Sequence, residues 1–297
     1  MFNKVPSGFF LKAGTMVVAI FCLFGCHETK KEIGLQLYSV RSILNAKNYA
    51  EKHAEVLVAL AKMGYSFVEV AGYGDGEFYG VSPEQFKTDV EAAGLKVLSS
   101  HTNHGLTKEE FESGDLTQAL EWWKETIYVR KRAGIQYIVV PYSPVPATLA
   151  ELQLYCDYLI EIGKLCAVEG IKFGYHNHSH EFQKVEGEVM YDYMLQHTDP
   201  EFVFFQMDVY WTVIGKAAPV EYFKKYPGRF TLLHIKDLRE VGQSGMVGFD
   251  AIFNSFGIAG TKDYIVEIEA SSYGDILRSC QVSADYLKAA KFVGASK

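Results

Sequence analysis

Three histidines and a carboxylate fall within eight residues, Gly174-Tyr-His-Asn-His-Ser-His-Glu181, directly after the strand-like run Gly170-Ile-Lys-Phe-Gly. Three later runs also look like strands that finish on metal-ligand types: Phe204-Phe-Gln-Met-Asp208, Leu232-Leu-His234 and Tyr264-Ile-Val-Glu267. Imidazoles and carboxylates arriving from separate strand ends are how a barrel assembles a divalent cation site. Any one of these residues alone reads as a surface group. Four strand ends in succession favour a metal.

Other residues of chemical interest sit at similar places. His178 shares a face with His176, because alternate strand residues point the same way. His101 ends the run preceding Thr-Asn-His104. A neutral histidine suits a general base, since its unperturbed pKa lies near 6.5. Glu69, in Phe67-Val-Glu-Val, would be costly inside a barrel without a polar partner. It reads as a sugar-hydroxyl contact or a buried ion-pair member. Gln36 and Tyr38 look like substrate contacts from the first strand. Lys236 and Asp237 read as an ion pair that orients the lysine. His104 and His180 read as solvated loop residues, and His27, His53 and His197 as lying outside any site. The aromatic share of 14% matters because Tyr38, Tyr73, Tyr142, Tyr175, Tyr210 and Trp211 cluster near strand ends. Flat rings there suit a sugar or an aromatic aglycone, while the remainder fill the core.

The elements that must position these residues alternate β-branched runs with helical patterns. Strands are expected at Ile33–Ser39, Phe67–Ala71, Lys96–His101, Gln136–Pro141, Ile171–His176, Val203–Asp208, Phe230–Lys236 and Tyr264–Ala270. Helices are expected near Tyr49–Met63, Pro83–Ala93, Asp115–Ala133, Leu149–Glu169, Val189–His197, Pro219–Tyr226, Phe249–Phe256 and Asp275–Phe292. Gly64, Gly94, Gly134 and Gly170 stand where left-handed helix ends belong. Eight strand–helix repeats make an α/β chain with a single (β/α)₈ TIM barrel over residues 33–297. A doubly wound sheet would carry a glycine-rich phosphate turn after its first strand; Gln36-Leu-Tyr-Ser-Val-Arg41 stands there instead. The long loops, Gly72–Val81, Thr102–Gly114, Asn177–Glu188 and Asp237–Gly248, all follow strands, on the face where barrel active sites form.

The N-terminus reads as an export signal over residues 1–25. Lys4 and Lys12 precede or open the apolar run Ala13–Phe24, which is too short to span a bilayer comfortably. Leu23-Phe24-Gly25-Cys26 is similar to a bacterial lipobox, which implies a lipid on Cys26, a tether over 26–32, and a bacterial membrane anchor facing the periplasm or cell surface. Such processing leaves 272 residues and turns the net charge of −7 into −9. Acidic balance without a basic run argues against nucleic acid as a partner. Cys156, Cys166 and Cys280 form no even framework; they read as buried small apolar residues.

Gly34-Leu-Gln-Leu-Tyr-Ser-Val-Arg41, Tyr175-His-Asn-His178, Asp208, His234-Ile-Lys-Asp237 and Val266-Glu267 together resemble the xylose-isomerase-like barrel superfamily. That group includes sugar phosphate isomerases and epimerases, inosose dehydratases and related sugar lyases. The resemblance runs from about Ile33 to the final helix. It implies a divalent metal, often Mn²⁺ with Zn²⁺, Co²⁺ or Mg²⁺ as alternatives, on His176, Asp208, His234 and Glu267. It also implies His178 as the catalytic base, the role of the matching histidine in some dehydratases, with His101 as second candidate. Many relatives carry glutamate at the first ligand, and their epimerases use the first and last glutamates as opposed bases. This chain keeps only Glu267 of that pair, with Glu181 as a conceivable replacement. Trp211 stands where many relatives have histidine, and reads as a wall beside the sugar.

If a substrate carbonyl and its neighbouring hydroxyl chelate the metal, the adjacent C–H becomes acidic, and Lys236 would help stabilise the resulting enediolate. Export disfavours a sugar phosphate substrate, and these loops hold no Arg/Lys cluster for one. The expected function is therefore a lyase acting on a 3-keto glycoside, by removal of the C2 proton and loss of the C1 group. An upstream oxidoreductase would make the keto-sugar. The alternative is an isomerase or epimerase of a free ketose or inosose. A sugar-binding protein without catalysis is a third reading, and an endonuclease is disfavoured by charge.

Overall fold

The computed structural model describes residues 1–2, 31–74 and 76–294. The expected signal segment and Cys26 lie outside the described residues, apart from residues 1–2; of the tether, only Lys31 and Glu32 are described. Eight parallel strands close into a barrel: β1 (Gly34–Gln36), β2 (Phe67–Val70), β3 (Lys96–His101), β4 (Tyr137–Val140), β5 (Lys172–His176), β6 (Val203–Asp208), β7 (Leu232–Lys236) and β8 (Asp263–Glu267), with β8 returning to pair with β1. The principal outer helices are α1 (Tyr49–Met63), α2 (Pro83–Ala92), α3 (Thr117–Arg132), α4 (Leu149–Val168), α5 (Met190–His197), α6 (Pro219–Lys225), α7 (Phe249–Asn254) and α8 (Ile276–Ala289). The expected (β/α)₈ barrel is the observed fold.

The strand interiors rise in a repeating order that follows from the two-residue period. At the bottom, Phe67, Leu98, Tyr137, Val139, Phe204, Leu232 and Ile265 form a small apolar cluster separate from the main core. Two residues further along the strands come Glu69 after Phe67, Gln206 after Phe204, His234 after Leu232 and Glu267 after Ile265. The barrel is thus plugged with hydrocarbon below and polar above. Gly34 and Gly174 make the plug possible, because a Cβ would come within 2.2 Å of the Phe67 ring at Gly34 and 2.5 Å of the Phe204 ring at Gly174. Outside the strands, the main core packs between barrel and helices.

All four helix-terminal glycines have positive φ: Gly64 at 103°, Gly94 at 85°, Gly134 at 77° and Gly170 at 72°. The first strand is shorter than expected. It stops at Gln36, whose side-chain oxygen accepts the Tyr38 N–H at 3.0 Å and turns Leu37–Val40 into a 3₁₀ turn. The expected Phe249–Phe256 helix divides at Ser255 into α7 and a separate turn, Phe256–Ala259. Lys31 donates to the carbonyls of Leu287, Lys288 and Ala290 at 3.2, 2.8 and 2.6 Å, closing the C-terminal end of α8. Among the described residues, no helix is long and apolar enough to cross a membrane. Cys156, Cys166 and Cys280 are free and buried.

Candidate metal centre and active site

His176, Asp208, His234 and Glu267 end or nearly end β5, β6, β7 and β8, and each brings one ligand atom within 4.8 Å of the others. All four are buried. Parallel register staggers them around the barrel mouth: His176 pairs with Gln206, two residues before Asp208, Asp208 pairs with His234, and Glu267 pairs with Lys236, two residues after His234.

Their hydrogen bonds leave a particular set of atoms unspent. Asp208 Oδ1 accepts the Trp211 N–H at 2.8 Å and caps the helical turn Val209–Ile214, while Oδ2 has no partner. His234 Nε2 meets Glu69 Oε1 at 2.6 Å, and Nδ1 has no hydrogen-bond partner. That Nδ1 lies 3.5 Å from Glu267 Oε2 and 3.9 Å from Asp208 Oδ2. His176 Nδ1 is likewise buried and unpartnered. Buried polar atoms are normally satisfied, so three orphaned lone-pair bearers converging beside a carboxylate fit a cation. Two imidazoles and two carboxylates suit Mn²⁺, Zn²⁺ or Co²⁺ and balance a divalent charge. His101, His176 and His234 form a second possible ligand group. His101 Nε2, however, is engaged by Gln206 Oε1 at 2.8 Å and Glu69 Oε1 at 3.1 Å.

Beneath the ligands lies a polar layer. Glu69 has no exposed surface and receives Gln36 Nε2 at 2.8 Å, Ser99 Oγ at 2.6 Å and Gln206 Nε2 at 2.9 Å as well as His234. Of its two expected readings, this is the buried ion-pair member; every oxygen is spent, so a sugar-hydroxyl contact is ruled out. Gln36 is corrected for the same reason: it is fully buried between Glu69 and the Tyr38 N–H. By donating Nε2–H to Glu69, His234 is fixed with Nδ1 facing its neighbours, as a carboxylate–histidine–metal relay requires.

Electrostatics follow from this burial. Desolvation disfavours the Glu69 charge, yet His101 and His234 outweigh it and hold the carboxyl well below its usual range. Burial also works against His234 as a cation, but Glu69 and Glu267 raise its pKa to about 10, so without a metal Nδ1 carries a proton that a bound cation would displace to use the lone pair. For Glu267 burial again opposes ionisation, and His234 with Lys236 brings the pKa down to about 2. Asp208 goes the other way, pushed up to about 7 by desolvation. His176 is held well below 6.5 by burial and by the charges of His234 and His101.

A cavity of about 970 Å³ opens above the cluster, bordered by Tyr38, His101, His176, His178 and Glu267, and extends to Tyr73, Trp122 and Arg130. His178 is half-buried, 5.1 Å from His176 between ring centroids, with its pKa lowered to about 4 by burial. It is therefore neutral near pH 7. Tyr38 and Tyr142 border the cavity and are exposed.

Four further expectations are corrected. Glu181 is fully buried and accepts the Tyr175 hydroxyl at 2.8 Å and the His178 N–H at 2.9 Å, so it anchors the loop and cannot swing toward substrate. Lys236 pairs with Glu269 at 3.1 Å and Glu267 at 3.6 Å, not with Asp237. Neighbouring strand residues point oppositely, and Asp237 instead accepts the N–H groups of Leu238, Gly242 and Ser244. His104 and His180 are half-buried: one stacks on Trp122 at 4.4 Å, the other meets the Ser143 carbonyl at 2.8 Å. Trp211 lies 5.7 Å from the His178 ring and does not border the cavity. Sequence reasoning missed Ser99, Gln206 and Asn177. The signal for Ser99 and Gln206 was their place two residues before His101 and Asp208; Asn177 joins β5 to β6 by accepting the Asp208 N–H at 3.2 Å.

The model of the Xylose isomerase-like TIM barrel family matches residues 57–292. A Bacillus cereus protein named inosose dehydratase is 25% identical over 169 residues, covering 49% of this chain and 55% of that protein. The chain thus matches about half or less of the length of its curated relatives. A solved sugar phosphate isomerase/epimerase from Parabacteroides distasonis is 40% identical, with a TM-score of 0.80 over 89% of this chain and 100% of that one. A protein named IOLI, solved with a zinc atom, shares the fold at 14% identity and a TM-score of 0.63, over 86% of this chain and 95% of that one.

Proposed function

Because the chain belongs to the Xylose isomerase-like TIM barrel family, we propose that it is a metal-dependent sugar enzyme that eliminates the C1 substituent of a 3-keto glycoside. The observation that carries this reading is one-sided proton handling. An epimerase must take a proton from one face of a carbon and return it to the other, which asks for two opposed bases. Here His176 stands among the ligands in place of a carboxylate, Glu181 is locked in its loop, and His101 Nε2 is spent on Gln206 and Glu69. His178 remains, neutral and bordering the cavity.

A divalent cation, Mn²⁺ by preference, held on His176, Asp208, His234 and Glu267 would supply Lewis-acid polarisation of a substrate carbonyl. His178 accepts the C2 proton. The electrons of that C–H bond become the C1=C2 double bond as the C1–O bond breaks, and the departing oxygen leaves as an alcohol after taking a proton from solvent water, His178 later returning its own proton to solvent. Glu69 holds His234 in place, and Lys236 balances Glu267 and Glu269 at the cluster's edge. The name of the curated relatives, inosose dehydratase, describes loss of water, also a carbon–oxygen cleavage. The IOLI protein, which shares the fold, was solved with a bound zinc atom, in keeping with a metal-holding barrel. The reading needs an oxidoreductase to supply the keto-sugar. The reading takes the enzyme to be exported and lipid-anchored to a bacterial membrane, which the signal-like N-terminal pattern supports.

A second reading, isomerisation or epimerisation of a free ketose or inosose, is favoured by the name of the structure 40% identical to this chain. Product analysis separates the two. Incubation of the metal-loaded protein with aryl 3-keto-glucosides should release the phenol, and a chelator should stop it. A new sugar of unchanged mass, with no phenol, would replace the lyase reading by the second one.

A further inference from the structure

Arg130, in the last turn of α3, has no exposed surface. Its Nε donates to Thr102 Oγ1 at 2.8 Å and its Nη1 to the Thr126 carbonyl at 3.3 Å, while Nη2 has no partner. The Tyr73 ring covers the guanidinium at 3.6 Å. Among the described residues, no carboxylate forms an ion pair with it; burial lowers its pKa to about 10, so it stays charged at neutral pH. A buried cation without an anion is expensive, and a π face offsets only part of that cost.

Arg130 also lines the cavity that His176, His178 and Glu267 line, and it is the single Arg or Lys among the described residues that does so. Trp122, half-buried, lines the same cavity about two helical turns before Arg130. The geometry points to a second subsite here, which takes the C1 substituent of the sugar: a planar ring bearing one carboxylate, with the ring beside Trp122 and the carboxylate on Arg130. One unpartnered donor edge with no second basic group suits a monoanion rather than a phosphate dianion. Glu125, exposed on the cavity border, disfavours a second negative charge. The assignment rests on the reading of the barrel mouth as a sugar site, and it narrows the substrate to glycosides of aromatic acids.

The test uses unoxidised glucosides, which report binding alone. Calorimetry on the full-length protein with Mn²⁺ compares phenyl β-glucoside with 4-carboxyphenyl β-glucoside. The carboxylated compound should bind about 10-fold tighter or more, the range of a charge-assisted hydrogen bond. Arg130→Gln should remove that advantage and leave the phenyl compound unchanged; Trp122→Ala should weaken both. Equal affinities in the unmodified protein, or no binding of either, would overturn the subsite. Should Arg130→Gln fail to fold, the ligand pair on the unmodified protein decides alone. Failure to cleave 3-keto substrates would sink the lyase reading while leaving this binding result in place.

Discussion

Glu69→Gln is the sharpest test of how the metal ligands are held. The carboxylate accepts four donors within 2.9 Å, from Gln36, Ser99, Gln206 and His234. An amide keeps the volume but loses the charge and offers an N–H on one side, where a donor already points. A hydrogen bond to a charged acceptor contributes about 1.5–3 kcal/mol and a neutral one about 1 kcal/mol. The loss at His234 alone is therefore about 1–2 kcal/mol, roughly a factor of 5–30 in affinity at 1.4 kcal/mol per decade. Donor conflict adds to it, so Mn²⁺ affinity should fall about 10–100-fold, the range seen when outer partners of ligating histidines are changed. The assay is Mn²⁺ titration against a competing chelator near neutral pH, with the fold checked by near-UV circular dichroism. Affinity within about two-fold of the unmodified protein, with an intact fold, would refute the argument that Glu69 sets the His234 orientation.

Four other outcomes follow from the same geometry. Asp208→Ala combined with His234→Ala should abolish retention of metal through gel filtration, read by elemental analysis. His178→Ala should keep its metal but lose about 10²–10⁴-fold in turnover of a 3-keto glycoside, the usual worth of a general base; undiminished turnover removes it from that role. Gly174→Ala would put a Cβ 2.5 Å from the Phe204 ring, and the overpacking should cost about 1–3 kcal/mol in denaturant unfolding. Burial pushes the Cys156 and Cys280 thiols up to about 12 and Cys166 higher still. In the native protein none of the three should react with a thiol reagent at mildly alkaline pH, and all three should react once it is unfolded.

Much of the fold was legible because its signal is local. The β-branched runs and the glycines at 64, 94, 134 and 170 each declare an element within a few residues. The ligand types were legible for a related reason: in a parallel barrel all strands end on one face, so residues that close successive strands must meet. What pairs with them was not legible. Glu69 is bound by Ser99, Gln36 and Gln206, which lie 30, 33 and 137 positions away. No pattern in the chain says which inward polar residue shares a level with which, because that depends on register and on the shift between Val68 and Glu69. Arg130 was hidden differently. It lies in Val-Arg-Lys-Arg at the end of α3, a run that reads as a solvated face, yet Arg130 is fully buried while Lys131 and Arg132 are exposed.

The substitution that shapes this site most is histidine at position 176. With carboxylate there, three acidic ligands would surround one divalent charge and leave the buried cluster net negative. With imidazole, Asp208 and Glu267 balance a divalent ion, and Lys236 remains to answer Glu269 at 3.1 Å. Buried net charge is what a low-dielectric interior penalises most, so the neutral sum lets the cluster sit deep in the barrel mouth. The same exchange removes a base from one face of any substrate above it. Burial, and after it the charged neighbours, hold His176 far below its ordinary pKa, which makes it a lone-pair donor and a poor proton acceptor. On the lyase reading proposed above, proton removal falls to His178, the neutral histidine bordering the cavity. Loss of a substituent from the neighbouring carbon is, on that reading, the route by which the carbanion's electrons would leave.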